Sequence, residues 1–238
     1  HQYSETRNFA EEFPGARGFG FIRRVPRPQT DAYLQARRAD GLSDFSIKTL
    51  NEHSEERFVI EYLEPSARNR VAQGLDIGSE ANRRQAAISA MQTGKATITG
   101  PITLVQATVD PQRSVLFLLP VYRSGATPTE IDQRESLAFG WTYAPLALSE
   151  VLADFDMAHL QYDLSITDVS NPSKPETVFD SLRQPEKGEF ALHQTLEREI
   201  YGRLWRIGLT ARPGFVGSLG QFSWLAVLAV GAAASLLI

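Results

Sequence analysis

The stretch Gly74–Arg123, GLDIGSEANRRQAAISAMQTGKATITGPITLVQATVDPQRSVLFLLPVYR, decides how the chain is read. Ser79 stands where a helix N-cap is expected, and Glu80 in the first turn suits the positive end of the helix dipole. Ala86, Ala87, Ala90 and Met91 recur at helical spacing and form a narrow apolar stripe, which predicts a helix lying close on a sheet. Gly94 is the expected left-handed stop, with Lys95 near the negative end. After the Gly100–Pro101 break, Ile102–Val109 and Ser114–Tyr122 read as a β-hairpin. The unbroken apolar run Leu116–Leu119 predicts a strand buried on both faces, or one lining a cavity.

On the N-terminal side, polar residues 1–13 with Tyr3, Phe9 and Phe13 suit the last turns of a helix, which Pro14–Gly15 ends. A strand is expected through Phe19, Phe21 and Val25. Thr30 is a candidate cap for a helix from Asp31 to Ala39. DFSIKTL (44–50) and EERFVIEYLEP (55–65) read as a hairpin-like pair of strands around a charged turn. On the C-terminal side, 124–135 reads as a polar loop. A strand follows through Trp141 and Tyr143, then a short helix from Ser149. From about Met157 the chain alternates cleanly (Leu160, Tyr162, Leu164, Ile166) and predicts antiparallel strands with almost no helix. The expected boundary lies near residue 150.

Composition narrows the class. The 238 residues include 42% hydrophobic and 22% charged, ordinary for a globular protein, with a formal net charge of −4. That charge leaves no basic field for nucleic acid. There is no cysteine, which excludes disulfides, thiolate zinc sites and thiol nucleophiles. Four histidines (His1, His53, His159, His193) are scattered without metal-ligand spacing. The G-x-x-G-x-G around Gly15–Gly20 is not the dinucleotide fingerprint, and no catalytic motif appears. The residues therefore favour a binding domain over an enzyme, with no cofactor and no metal. Phe222–Ile238 (FSWLAVLAVGAAASLLI) is uncharged and opens on aromatics, as a membrane-spanning helix does; such a helix needs roughly 20 apolar residues. The run is expected to be a truncated transmembrane helix, with 217–238 as the juxtamembrane segment and span.

Seven blocks, FPGARGFGFIRRVP, RRADGLSDFSI, YLEP, GLDIGSEANRRQAA, TGKATITGPITLVQ, LLPVYR and FGWTYAPL, occur in an order that resembles CHASE domains. These are extracytoplasmic sensor domains of bacterial and plant receptor kinases and of bacterial diguanylate cyclases. The resemblance is strong over 9–150 and holds by position over 151–216. It implies an α+β fold: an N-terminal stalk helix ending at 13, a membrane-distal PAS-like unit over 14–150, and a membrane-proximal PAS-like unit over 151–216, both with antiparallel sheets. It further implies a small-molecule ligand in the distal unit, a homodimer through the stalk helix, and an inner-membrane protein with this region in the periplasm. The output would be a histidine kinase, or alternatively a diguanylate cyclase, in a cytoplasmic domain. A periplasmic protein-interaction module without small ligand is the remaining alternative.

In the plant cytokinin receptors of this family the distal unit holds the hormone. By position, Thr99 matches a pocket threonine, Val105 a leucine whose backbone contacts the adenine, and Ile77 a packing methionine. Trp141 replaces a pocket tyrosine and Ala144 a small glycine. Arg83 stands in place of the aspartate that hydrogen-bonds the adenine. Arginine only donates and is always charged, so at Arg83 a carboxylate or phosphate suits better than adenine N–H groups, and the ligand class is left open between anionic and adenine-like. Every one of these positions also has a plain packing reading.

Overall fold

The computed structural model of the chain describes residues 9–105, 113–152, 162–181 and 192–212. A one-turn helix α1 (Phe9–Glu12) precedes strand β1 (Phe19–Val25), helix α2 (Thr30–Ala39), β2 (Lys48–Thr49) and β3 (Arg57–Glu64). Helix α3 (Ser66–Asn69), β4 (Leu75–Asp76) and the long helix α4 (Ala81–Thr93) follow. Next come β5 (Thr97–Ile98), β6 (Ile102–Thr103), β7 (Arg113–Tyr122), helix α5 (Ile131–Leu137), β8 (Ala138–Ala147) and helix α6 (Leu148–Val151). Strands β9 (Tyr162–Asp168), β10 (Glu176–Asp180), β11 (His193–Ile200) and β12 (Arg203–Ala211) complete the order. The fold is mixed α+β, and its sheets are antiparallel apart from one short parallel pair, β2 with β4. The rest of the expected stalk helix and the apolar segment 222–238 lie outside the described residues. Among the described residues no helix is long and apolar enough to cross a membrane.

The large sheet runs β2–β4–β3–β1–β8–β7–β5, with β6 also on β7; the small one runs β10–β9–β12–β11. Here two expectations are corrected. Segment 44–50 does not form a hairpin with β3: its only strand, β2, pairs in parallel with β4, and β3 pairs with β1 and β4. And the polar segment 124–135 is not all loop, because α5 begins at Ile131. Its Arg134 donates to the carbonyl oxygen of Gln92 (2.5 Å), at the carboxyl end of α4, and Gln92 donates to Glu135 (2.7 Å). Those contacts are nonlocal and leave no periodic signal in the sequence.

Helix α4 lies on one face of the large sheet. Ala86, Ala87, Ala90 and Met91 are all buried there against Phe58, Leu116, Leu118 and Trp141. Small side chains let the helix approach closely enough for two aromatic tips to reach it: Trp141 Nε1 donates to Ala87 O (2.9 Å) and the Tyr122 hydroxyl to Met91 O (2.7 Å). Gly94 ends the helix at φ 70° with its N–H on Ala90 O.

Strand β7 shows why its apolar run is continuous. Leu116, Leu118 and Tyr122 enter the α4 core, whereas Val115 and Phe117 enter a second core with Ile166, Val178 and Trp205 of the small sheet. Alternation along the strand therefore feeds two cores, as a strand covered on both faces requires. The sheets also meet at their edges. Ile98 N–H donates to Tyr201 O (3.0 Å), Tyr201 stands edge-on to Phe117 at 5.0 Å, and Arg113 pairs with Glu176 at 2.9 Å.

Candidate functional site

The site begins with the turn that joins β4 to α4. Asp76, fully buried, accepts from Phe58 N (2.9 Å) and Gly78 N (3.0 Å) through Oδ1. Its Oδ2 meets His53 Nε2 at 2.9 Å and Arg57 Nη1 at 3.2 Å. A buried carboxylate is tolerable when so many donors surround it. The result is a rigid turn, Ile77–Ser79, that delivers Ile77 inward and starts α4 at a set angle. The N-cap is Glu80, not Ser79: the Glu80 carboxylate accepts from Asn82 N (2.9 Å) and Arg83 N (3.1 Å). Ser79 instead donates to Asp76 O (2.6 Å) and accepts from Leu50 N (2.8 Å), which ties the turn to the β2 segment.

Arg83, on the first turn of α4, is buried, at 6% exposed. It donates to Thr103 O (2.9 Å) and to Glu80 Oε2 (3.3 Å). Burial lowers its pKa, with Glu80 opposing that shift.

Beside it lies a cavity of about 20 Å³ whose lining includes Ile77, Arg83, Leu104, Val105, Leu116 and Tyr143. This volume suffices for one water and falls far below the roughly 300–1,000 Å³ of pockets that hold organic ligands. Three of the six residues expected to bind ligand are thus brought together: Ile77, Arg83 and Val105. The other three stand elsewhere. Thr99, 1% exposed, accepts from Leu116 N through its hydroxyl (3.0 Å) and donates its own N–H to Leu116 O (3.0 Å), stitching the sheet edge to β7. Trp141 is fully buried beneath α4, its ring 4.6 Å from that of Phe58. Ala144 sits between Tyr143 and Pro145, both of which line the cavity, so strand alternation turns Ala144 to the opposite face.

Tyr143 is the residue that sequence reasoning missed. It is 3% exposed, and its hydroxyl has no hydrogen-bond partner among the described residues. Burial alone pushes its pKa up, because the phenolate would be left without solvent. The ring passes against Gly20 of β1, where an added Cβ would stand 2.6 Å from Tyr143 Cε1. Period-2 alternation puts Trp141 and Tyr143 on one face. Only the position of α4 decides that the tryptophan is covered and the tyrosine reaches the cavity. Among the described residues no group of three or more His, Asp or Glu side chains is arranged to hold a metal.

A family model described as the CHASE domain matches residues 1–179, which takes in the whole large sheet and the first strands of the small one. The chain belongs to the CHASE domain family. CHASE domains are sensory and not catalytic. Among solved structures the chain is similar to an extracellular ligand binding receptor from Desulfohalobium retbaense, with a TM-score of 0.40, 12% identity, and coverage of 64% of this chain and 28% of that one. It is also similar to the periplasmic sensory domain of the Campylobacter jejuni chemoreceptor Tlp1, with a TM-score of 0.44, 8% identity, and coverage of 82% of this chain and 72% of that one. The chain therefore spans less than a third of the first of these. No curated protein matches it.

Proposed function

We propose that this CHASE domain is the periplasmic ligand-sensing region of a membrane-bound receptor, a sensor histidine kinase or alternatively a diguanylate cyclase. In this reading residues 14–150 are the membrane-distal unit and take a small molecule at the cavity beside Arg83. Residues 151–216 form the proximal unit and pass the signal to a span within 217–238 of the inner membrane, with the stalk helix joining two copies. The observation that supports it is the cavity itself. In a domain of a sensory family, a buried arginine and a buried tyrosine whose hydroxyl has no partner among the described residues both line one apolar hollow at the start of a well-anchored helix. The cavity must widen to admit any organic ligand, and that widening moves α4 or the Leu104–Val105 segment against the sheet. A ligand shifts the receptor only by its differential affinity for the two arrangements.

A ligand that binds the folded state alone raises the melting temperature by mass action. Thermal melts against purines, organic acids and phosphorylated metabolites therefore test the reading, and uniform lack of stabilisation would sink it. The smallness of the cavity favours one second reading, a protein-interaction module whose pocket is filled by its own side chains. That module would stay unmoved by every small molecule and would bind through its surface.

A further inference from the structure

We infer that β11 is a contact between two copies of this chain: it pairs antiparallel with the β11 of a second copy, about a two-fold axis at Leu196. Strand β11 ends the small sheet and, among the described residues, pairs with β12 alone. Seven of its eight residues are exposed, so the strand has little burial of its own to hold it. An edge strand of this length is a template for another strand. The hairpin shows which backbone groups are open. Ile200 pairs with Arg203 across a two-residue turn in which Tyr201 and Gly202 both take positive φ, 48° and 78°. In that turn geometry the flanking residues are hydrogen-bonded to each other. At the far end Ala211 N donates to Leu192 O (2.9 Å). Bonded pairs alternate along an antiparallel ladder, so Gln194, Leu196 and Arg198 also bond to β12. The N–H and C=O groups of His193, Thr195, Glu197 and Glu199 therefore point to the open edge.

The side chains choose the occupant. The run LHQTLEREI (192–200) is close to a palindrome in character. A two-fold at Leu196 sets Leu196 against itself, Leu192 against Ile200, Gln194 against Arg198, Thr195 against Glu197 and His193 against Glu199. Every open N–H and C=O then has a partner, apolar residues meet apolar ones, and no like charges face each other. The nearest other registers lose this. A two-fold at Glu197 opposes Glu197 to itself, and one at Arg198 opposes Arg198 to itself and Glu197 to Glu199. One at Thr195 sets Leu192 against Arg198 and Leu196 against Gln194. Because the axis is normal to the sheet, each face continues into the second copy. Leu192, Leu196 and Ile200 share the face of Ile207, and Ile200 and Ile207 pack against the second core. Leu192 and Leu196, 56% and 42% exposed, carry that apolar face past the part the chain covers, and Leu209 stands beside them. The contact is isologous, so it closes as a dimer and does not propagate.

The chain has no cysteine, so single introduced thiols in the full chain, held in mild detergent, report the register. At the axis Leu196 meets its copy in a pair that is not hydrogen-bonded, with Cα atoms about 4.5 Å apart, within the roughly 4.4–6.8 Å a disulfide spans. Leu196→Cys is expected to give a disulfide-linked dimer under mild oxidation. Gln194→Cys and Arg198→Cys should each stay monomeric on oxidation alone and cross-link when mixed, with one of them carrying a mass tag. Leu196→Lys sets two like charges at the axis and should weaken dimerisation, read by sedimentation, about tenfold with an unchanged circular dichroism spectrum. The inference is overturned if Leu196→Cys stays monomeric on oxidation, whether maleimide finds its thiol open or covered. It is also overturned if Gln194→Cys alone cross-links as fast, the mark of random collision between edges. A dimer that Leu196→Lys leaves at full strength overturns it too, and places the contact elsewhere. None of these readouts involves a ligand, so each outcome is independent of the sensor reading.

Discussion

Replacing Asp76 by alanine should be the most damaging single change in the turn that builds the cavity wall. The carboxylate is fully buried and is met by Phe58 N, Gly78 N, His53 Nε2 and Arg57 Nη1 at 2.9–3.2 Å. Its loss removes the side-chain acceptor of two buried backbone N–H groups, each worth about 1–3 kcal/mol when left unsatisfied. The Arg57 guanidinium, largely buried, also loses its carboxylate. Breaking a buried ion pair from one side costs about 3–5 kcal/mol, and the two estimates describe overlapping losses, so about 3–5 kcal/mol is the expected total. That is a large fraction of the roughly 5–15 kcal/mol that holds a domain folded. At about 2–4 °C per kcal/mol for a chain of this size, the melting temperature should fall by about 6–20 °C. Urea denaturation followed by circular dichroism reads the same quantity as a lower midpoint with an unchanged slope. Glu55, on the exposed side of His53, is the control: Glu55→Gln should leave the midpoint near wild type. A loss under about 1 kcal/mol, the worth of an exposed pair, would refute the view that Asp76 anchors the turn. Because Ile77 follows Asp76 directly, the surviving folded variant should also bind ligand more weakly.

Further outcomes follow from other contacts. Gly20→Ala places a Cβ 2.2 Å from Tyr62 O and 2.6 Å from Tyr143 Cε1, so overpacking should cost about 3 kcal/mol and be visible in the thermal melt. Burial raises the pKa of Tyr33, Tyr122 and Tyr143 above the ordinary value of 10.0. Raised pKa values give stability that is present below the unfolded value and lost as pH rises through the folded ones, so the fold should weaken above about pH 10. Tyr143→Phe should flatten that alkaline loss, which a melt series against pH records. Glu176 is shifted the other way, its pKa lowered from 4.5 first by the Lys174 hydrogen bond and then by Arg113. Its contribution is present above that value and lost as pH falls below it. As both partners are exposed, Glu176→Gln should cost under about 1 kcal/mol at neutral pH and nothing in acid.

Much of the local architecture was legible in the sequence. The stripe Ala86, Ala87, Ala90 and Met91 and the left-handed Gly94 mark α4 to its last residue. The β-prone run 114–122 marks β7 and its burial on two faces through Leu118, whereas Leu119, read as part of the same buried run, is exposed. The cap of α4 falls one residue beyond the expected Ser79, on Glu80, because Asp76 O and Leu50 N already occupy the Ser79 hydroxyl. Strand pairing was less legible: β2 is only two residues long, and it pairs with β4 because the chain folds back at Gly74, whose N–H reaches Ile60 O. Helix α5 depends on Arg134 finding the end of α4, a contact across some forty positions.

Residues read in a line thus settle the short-range features: where helices stop, which strands alternate, and the order of blocks that marks the CHASE family. Glycine conformation and apolar period act within a few residues, so they can be read in a line. Which side chains share the cavity depends instead on long-range packing. Ile77, Arg83, Val105 and Tyr143 come from a turn, a helix, a loop segment and a strand spread over more than sixty positions, and no local rule brings them together. Packing did, by laying α4 over Trp141 and leaving the Tyr143 hydroxyl without a partner among the described residues.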